Sequence, residues 1–322
     1  MKTTTLKKAP VKARLPREED AHPQELVEHT SVLVEEVLQG LDIHADELVL
    51  DATVGRGGHS NVILSSTKAK VLALDADRES IAATREKLAK FGDRFVAVEG
   101  NFGDVEKILR MQGVKEVNKA LFDLGWNSTQ LTSGRGFSFL HDEKLSMSYG
   151  KKPASGFTAK EILNQWDEKT LADVFYGYGE EQYARGIAKA IVERRAFEPI
   201  ETTVELAELV RDSVPAGYRH GRIHPATKTF QALRIAVNDE LGVLERGLQG
   251  VWKHLSCEGR IAVITFHSIE DRVVKHLFQG FVKDGSARLI NKKPLVSNRS
   301  EIIHNPRARS AKLRVIEKIC TN

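Results

Sequence analysis

Apolar positions along this chain follow two rhythms. Val32, Leu33, Val37, Leu38 and Leu41 recur at the spacing of one helical face, which closes at Gly40 or just after it. Short, nearly continuous apolar runs follow at 48–52, 71–74, 95–98 and 120–124, with a helical stretch at 81–88 between the second and third. Runs this short, alternating with helical stretches, predict buried strands of a parallel sheet joined by right-handed crossovers. Between 133 and 222 the alternation stops, and helical patterns stand at 160–166, 171–176, 182–195 and 204–214. The stretch 226–255 reads as one long helix returning to the sheet unit, with further strands at 261–266 and 313–319. The polar segment 1–24, interrupted by Pro10, Pro16 and Pro23, reads as a disordered basic arm. The expected organisation is a sheet domain built from 25–132 and 223–322, with a helical substrate-recognition domain, 133–222, inserted into it.

Composition narrows the class. Hydrophobic residues at 41% and charged residues at 29% are ordinary for a globular enzyme. No apolar run approaches the ~20 residues of a membrane span, and the start lacks the apolar core of a signal peptide. Cys257 and Cys320 alone supply neither a disulfide framework nor a cysteine-rich metal site, which points to the reducing cytoplasm. The net charge of +4 is unevenly spread: residues 1–17 hold six basic and no acidic side chains, and residues 288–318 hold nine basic and two acidic. Basic ends on an acidic body suit contact with a polyanion, although a basic arm also serves simply as a solvated tail.

The first strand runs into Asp51-Ala52-Thr53-Val54-Gly55-Arg56-Gly57-Gly58-His59. Glycines there let the chain turn sharply and bring backbone N–H groups close to a ligand at a helix start. The second strand ends on Asp75, a position from which a carboxylate accepts both hydroxyls of a ribose. The alternative is a tight turn with a surface Asp. Dinucleotide sites prefer G-x-G-x-x-G, whereas here the residue three after Gly57 is Ser60. Asp51 would repel a pyrophosphate but suits a cationic sulfonium. Both points favour S-adenosylmethionine over NAD. Asp123 ends the fourth strand and so faces the same crevice.

Eight stretches in order resemble the bacterial small-subunit ribosomal RNA (cytosine-N4)-methyltransferases, the RsmH or MraW family. They are His29-Thr30-Ser31-Val32-Leu33, Gly55 to Ser60, Asp123-Leu124-Gly125 with Gln130-Leu131, and Arg135-Gly136-Phe137-Ser138-Phe139. Further on come Tyr178-Gly179-Glu180-Glu181, His224-Pro225-Ala226-Thr227 with Phe230 to Ile235, Phe266 to Arg272, and Asn305 to Ser310. The resemblance implies a class I S-adenosylmethionine-dependent methyltransferase: an α/β, Rossmann-like, mostly parallel seven-stranded sheet with an inserted helical domain. It implies methyl transfer to N4 of a P-site cytidine in 16S ribosomal RNA, with that RNA inside the small ribosomal subunit as the expected partner. The implied cofactor contacts are Gly57, Gly58, His59, Asp75, Phe102, Asp123 and Gln130; no metal is implied, and the oligomeric state is left open, with a dimer as the candidate.

Asp123 with Asn127 or Ser128 is expected to accept hydrogen bonds from the cytosine amine. Trp126, Phe137 and Phe139 are candidates to stack on a splayed base or to pack internally. Arg135, Arg307 and Arg309 are candidates for phosphate contacts or plain surface charge. His267, Glu270 and Asp271 are expected to shape the pocket, no clear third metal ligand accompanying them. Two stretches depart from the family: Trp126 and 127–132 replace Val-Ser-Ser-Pro-Gln-Leu-Asp, and 144–150 loses two acids and an Arg. These departures motivate a second reading, a ribosome-assembly factor that keeps the cofactor fold without catalysis.

Overall fold

The computed structural model describes residues 30–125, 133–150 and 152–320. Its strands are β1 (Leu48–Asp51), β2 (Lys70–Asp75), β3 (Phe95–Glu99), β4 (Val117–Asp123), β5 (Leu255–Thr265), β6 (Ala287–Leu289), β7 (Leu295–Val296) and β8 (Lys312–Lys318). They join in one sheet of order β3-β2-β1-β4-β5-β8-β6, and the two-residue β7 pairs with β8 off that path. β1 to β5 are mutually parallel, while β8 runs antiparallel to β5, β6 and β7. This is the expected α/β, Rossmann-like class, with β6 and β7 as short additions that no apolar run announced.

Strand periodicity sorts the core onto the two faces. Leu50, Leu72, Leu74, Ala120, Phe122 and Val263 point to one face, under α4 (Val105–Met111), α11 (Glu240–His254) and α12 (Ser268–Lys283). Their neighbours Val49, Val71, Ala73, Leu121 and Ile264 point to the other, under α1 (Val34–Leu41), α2 (Gly58–Ser66) and α3 (Arg78–Leu88). Burial on both sides is why these strands read as unbroken apolar runs.

Between β4 and β5 the chain builds a second, helical core. It comprises α5 (Ala159–Gln165), α6 (Glu168–Gly179), α7 (Ala184–Arg195), α8 (Thr203–Ser213), the short α9 (Ala216–Arg219) and α10 (Thr227–Asn238). Ile162, Phe175, Ile187, Leu206 and Leu233 are fully buried within it. Its helices start on strong local signals: Thr158 with Glu161 and Thr202 with Glu205 form reciprocal capping boxes. Thr202→Ala is expected to cost about 1 kcal/mol. Urea unfolding reads this, and an unchanged midpoint would mean that the cap is dispensable.

The long helix expected over 226–255 is two helices. Asp239 adopts φ 47° and turns the chain between α10 and α11. Helical periodicity on both sides hid that break. Ala226, Phe230, Leu233 and Val237 pack in the helical core, so the return to the sheet unit comes at Asp239, beyond the expected boundary at 223. The two cysteines, too few for a framework, pair with each other: Cys257 and Cys320 form a disulfide, with Cα atoms 5.2 Å apart. Antiparallel pairing of β5 with β8 already brings these ends together. Among the described residues no helix is long and apolar enough to cross a membrane. The arm 1–24 lies outside the described residues.

α13 (Arg299–His304) precedes β8. Because β8 is antiparallel to β5, Lys312 at its start sits opposite Thr265 at the end of β5. The segment leading into β8 therefore lies at the carboxyl edge of the parallel strands.

Candidate functional site

At that edge the ends of β1, β2 and β4 are tied to one another by side chains. The Gly55 N–H donates to Asp75 Oδ2 at 2.9 Å, and the Thr84 hydroxyl on α3 donates to Gly55 O at 2.7 Å. The Asp123 N–H donates to Thr53 Oγ1 at 2.7 Å. Gly57 has φ 73°, and a Cβ on it would meet Thr84 Cγ2 at 2.7 Å. Both the conformation and the space exclude a side chain there. Ser31 occupies the corresponding space at Gly58, where α2 begins.

Asp51 is placed differently from expectation. Its Oδ2 accepts from the Ser60 hydroxyl at 2.6 Å and its Oδ1 from the Thr53 N–H at 3.2 Å, and the residue is buried. Burial raises its pKa, and the Ser60 bond only partly opposes that. Asp51 therefore anchors the loop from beneath.

His59 and Asp123 face each other, with His59 Nε2 3.5 Å from Asp123 Oδ2. Burial disfavours the imidazolium, but the Asp123 carboxylate outweighs this and holds the His59 pKa above its ordinary value. His59 Nε2 and Asp123 Oδ1 are buried without a hydrogen-bond partner among the described residues. Buried polar atoms left unbonded cost free energy, so these two mark where a polar ligand completes the site. The turn at Gly57 and Gly58, the carboxylate of Asp75 and the open Asp123 oxygen suit the amino acid, ribose and sulfonium parts of S-adenosylmethionine.

Asp75 accepts a second N–H, from Asp77, at 2.8 Å. Burial pushes its pKa up to about 6 despite the two N–H groups that favour the charge. The protonated carboxyl is a poorer acceptor for ribose hydroxyls, so cofactor affinity is expected to drop several-fold from pH 7 to pH 5. Titration calorimetry on the parent and on Asp75→Asn tests this; the variant should lose that pH step. For folding the sign is opposite. A raised carboxyl pKa means that Asp75 favours the native state below about pH 4 and loses this contribution as pH rises through about 6.

Phe102 is half-buried and meets Phe122 edge-on, ring centroids 5.4 Å apart, beside Gly247 of α11. It is thus packed into the sheet core next to the crevice. Asn127, Ser128 and Gln130, with Trp126, lie outside the described residues.

A second group of polar side chains joins the helical unit to the crevice. The Arg135 guanidinium donates to Tyr149 O at 2.7 Å and lies 3.8 Å from Asp77, so structural contacts occupy this candidate phosphate binder. Phe137 stacks on Tyr149 at 5.3 Å, and Phe139 packs on Phe230 at 4.9 Å, the internal-packing alternative for both. The Tyr149 hydroxyl donates to Glu240 at 2.9 Å, and Arg234 grips the same carboxylate at 2.8 and 3.0 Å. His267 Nε2 lies 3.0 Å from Glu270 Oε1, while Asp271 is turned away into a pair with Arg314. Contrary to expectation, a third residue with a possible ligand atom does converge on His267 and Glu270, namely Glu240. Its oxygens are taken by Arg234 and Tyr149, while His267 Nε2 is buried without a hydrogen-bond partner among the described residues. Sequence reading did not single out Tyr149 or Glu240, and it named Arg234 only within the stretch Phe230 to Ile235; a charge between Leu233 and Ile235 was the one local signal.

The sequence model of the MraW methylase family matches residues 26–319. A ribosomal RNA small subunit methyltransferase H of Trichormus variabilis is 45% identical over 293 residues, covering 90% of this chain and 92% of that protein. Proteins of the same name from Rippkaea orientalis and Paenibacillus sp. are 46% and 43% identical, covering 90% and 91% of this chain and 92% and 100% of their own lengths. Matches of this extent, on a sheet whose strand ends carry the glycine turn, Asp75 and Asp123, place the chain in the MraW methylase family, with S-adenosylmethionine as its cofactor.

Proposed function

We propose that this chain transfers a methyl group to the N4 amine of a P-site cytidine in 16S ribosomal RNA, in the cytoplasm. The observation that carries the reading is the buried Asp123 Oδ1 at the end of β4, which has no hydrogen-bond partner among the described residues, on a carboxylate that faces His59. The names of the relatives support small-subunit ribosomal RNA as the substrate.

When bound, S-adenosylmethionine would supply an electrophilic methyl group on a sulfonium, with the neutral thioether S-adenosylhomocysteine as leaving group. Gly57, Gly58, His59 and Asp75 would hold it, with Phe102 and Gln130 completing its contacts. The exocyclic amine of cytosine is a weak nucleophile because its lone pair is delocalised into the ring. Asp123 accepts one amine N–H, which orients nitrogen toward the methyl and draws electron density onto it. Asn127 or Ser128 accepts the other. The same Asp123 carboxylate receives the proton that nitrogen sheds. The helical unit serves to present the RNA.

Incubating the protein with labelled S-adenosylmethionine and small-subunit particles, then mapping nucleosides by mass, tests the reading. N4-methylcytidine in the decoding region is the expected product. Label on another base or another atom replaces the assigned target, and binding without transfer replaces catalysis.

A further inference from the structure

The nine basic side chains of 288–318 separate into two groups once folded. Arg288 pairs with Glu317, Arg314 and Lys312 pair with Asp271, and Lys318 donates to the carbonyls of Trp252 and Leu255. The remaining five, Lys292, Lys293, Arg299, Arg307 and Arg309, are all exposed on the segment that leads into β8. Among the described residues, Lys292, Lys293, Arg299 and Arg309 pair with no carboxylate. The one acid of this segment, Glu301, is turned inward, where its Oε1 accepts the Leu33 N–H at 2.7 Å. Lys292, Lys293, Arg299 and Arg309 are therefore exposed positive charges that no carboxylate among the described residues balances.

Its position follows from topology. Lys312 pairs opposite Thr265, and Ile264 pairs opposite Asp123, so the part of the segment that enters β8 lies at the strand ends that carry the site. Lys292 and Lys293 follow Asn291, which bonds Leu313 and Val315 a little further along β8. It is also held there rigidly. Ala308 and Ala311 are buried against Val32 and Leu33, and the Asn305 side-chain amide donates to Thr30 O at 3.0 Å. The adjacent Ser31 packs on Gly58 of the cofactor turn.

We infer that residues 292–309 form a phosphate-binding strip that docks the RNA backbone at the rim of the methyl-transfer site. The inference rests on the reading that the substrate is RNA. Fixed cations beside a crevice release counterions from a phosphodiester chain and set its register without reading bases. The strip thereby positions a nucleotide over the crevice while the crevice does the selecting.

The test compares K292A/K293A/R299A/R309A with a charge-matched control away from both the strip and the helical unit, K70A/K107A/K275A/K283A, for binding to small-subunit ribosomal RNA across salt. The plot of log affinity against log salt should be shallower by about 3 for the strip variant, at ~0.7–0.9 per lost phosphate contact. Affinity near 0.1 M salt should fall at least tenfold, roughly. Affinity for S-adenosylmethionine should match the parent. Equal slopes for the strip variant and the control overturn the inference.

Lysine acetylation of the unaltered protein, read by mass, provides a check that needs no variant. RNA should protect Lys292 and Lys293 but not Lys70 and Lys275; equal modification with and without RNA also overturns it. Label transfer by the parent with an unchanged slope removes the strip and leaves the methylation reading. Protection of the strip without any transfer does the reverse.

Discussion

Asp123→Asn is expected to leave a folded protein that binds S-adenosylmethionine and methylates at least about 100-fold more slowly. The substitution conserves shape, so the Thr53 anchor on the Asp123 N–H and the packing of β4 remain. It removes the charge that faces His59 and the acceptor that the amine needs. An amide turns a donor toward that amine or exposes only one acceptor, and it takes up no proton at neutral pH. Turnover should be followed with cofactor affinity measured in parallel, because Asp123 also borders the cofactor. A variant with parental turnover removes the carboxylate from the mechanism; loss of cofactor binding alone reduces Asp123 to a binding residue.

Arg234→Ala carries the largest expected effect on stability. Arg234 and Glu240 are each 13% exposed, and the pair is bidentate, so truncation leaves the carboxylate beside Glu270 with the Tyr149 hydroxyl as its remaining hydrogen-bond donor among the described residues. Breaking a buried pair in this way costs about 3–5 kcal/mol. The double change Arg234→Met with Glu240→Leu should recover much of that loss, since it strands neither charge. Urea unfolding of both variants decides. A loss under about 1 kcal/mol for Arg234→Ala would show that water reaches the pair and screens it.

The cofactor half of the site was legible because its residues sit at strand ends. Once 48–52, 71–74 and 120–124 read as buried parallel strands, the residues that close them face one crevice by topology alone. Gly57 was equally legible, since few positions other than a left-handed turn require that residue. What stayed hidden depended on side-chain direction. Asp51 closes its strand just as Asp75 does, yet Ser60 on the next helix captures it. The Tyr149–Glu240 contact spans 91 residues, and no local pattern encodes it. The turn at Asp239 escaped because apolar spacing is helical before and after it, and only the left-handed φ of one residue separates two helices that belong to different cores.

The place of β8 in the sheet also constrains the order in which the fold can be completed. β6 has β8 as its only neighbour on the main path, and β8 follows it in the chain, so β6 must wait for a strand made later. Until β8 inserts, β5 presents an unpaired edge with Ile261, Val263 and Ile264 on it, a template for intermolecular strand pairing. The parallel half of the sheet can assemble as it is synthesised. The half that bears the basic strip closes last, so a nascent or truncated chain holds the cofactor turn before it holds the surface proposed to receive RNA.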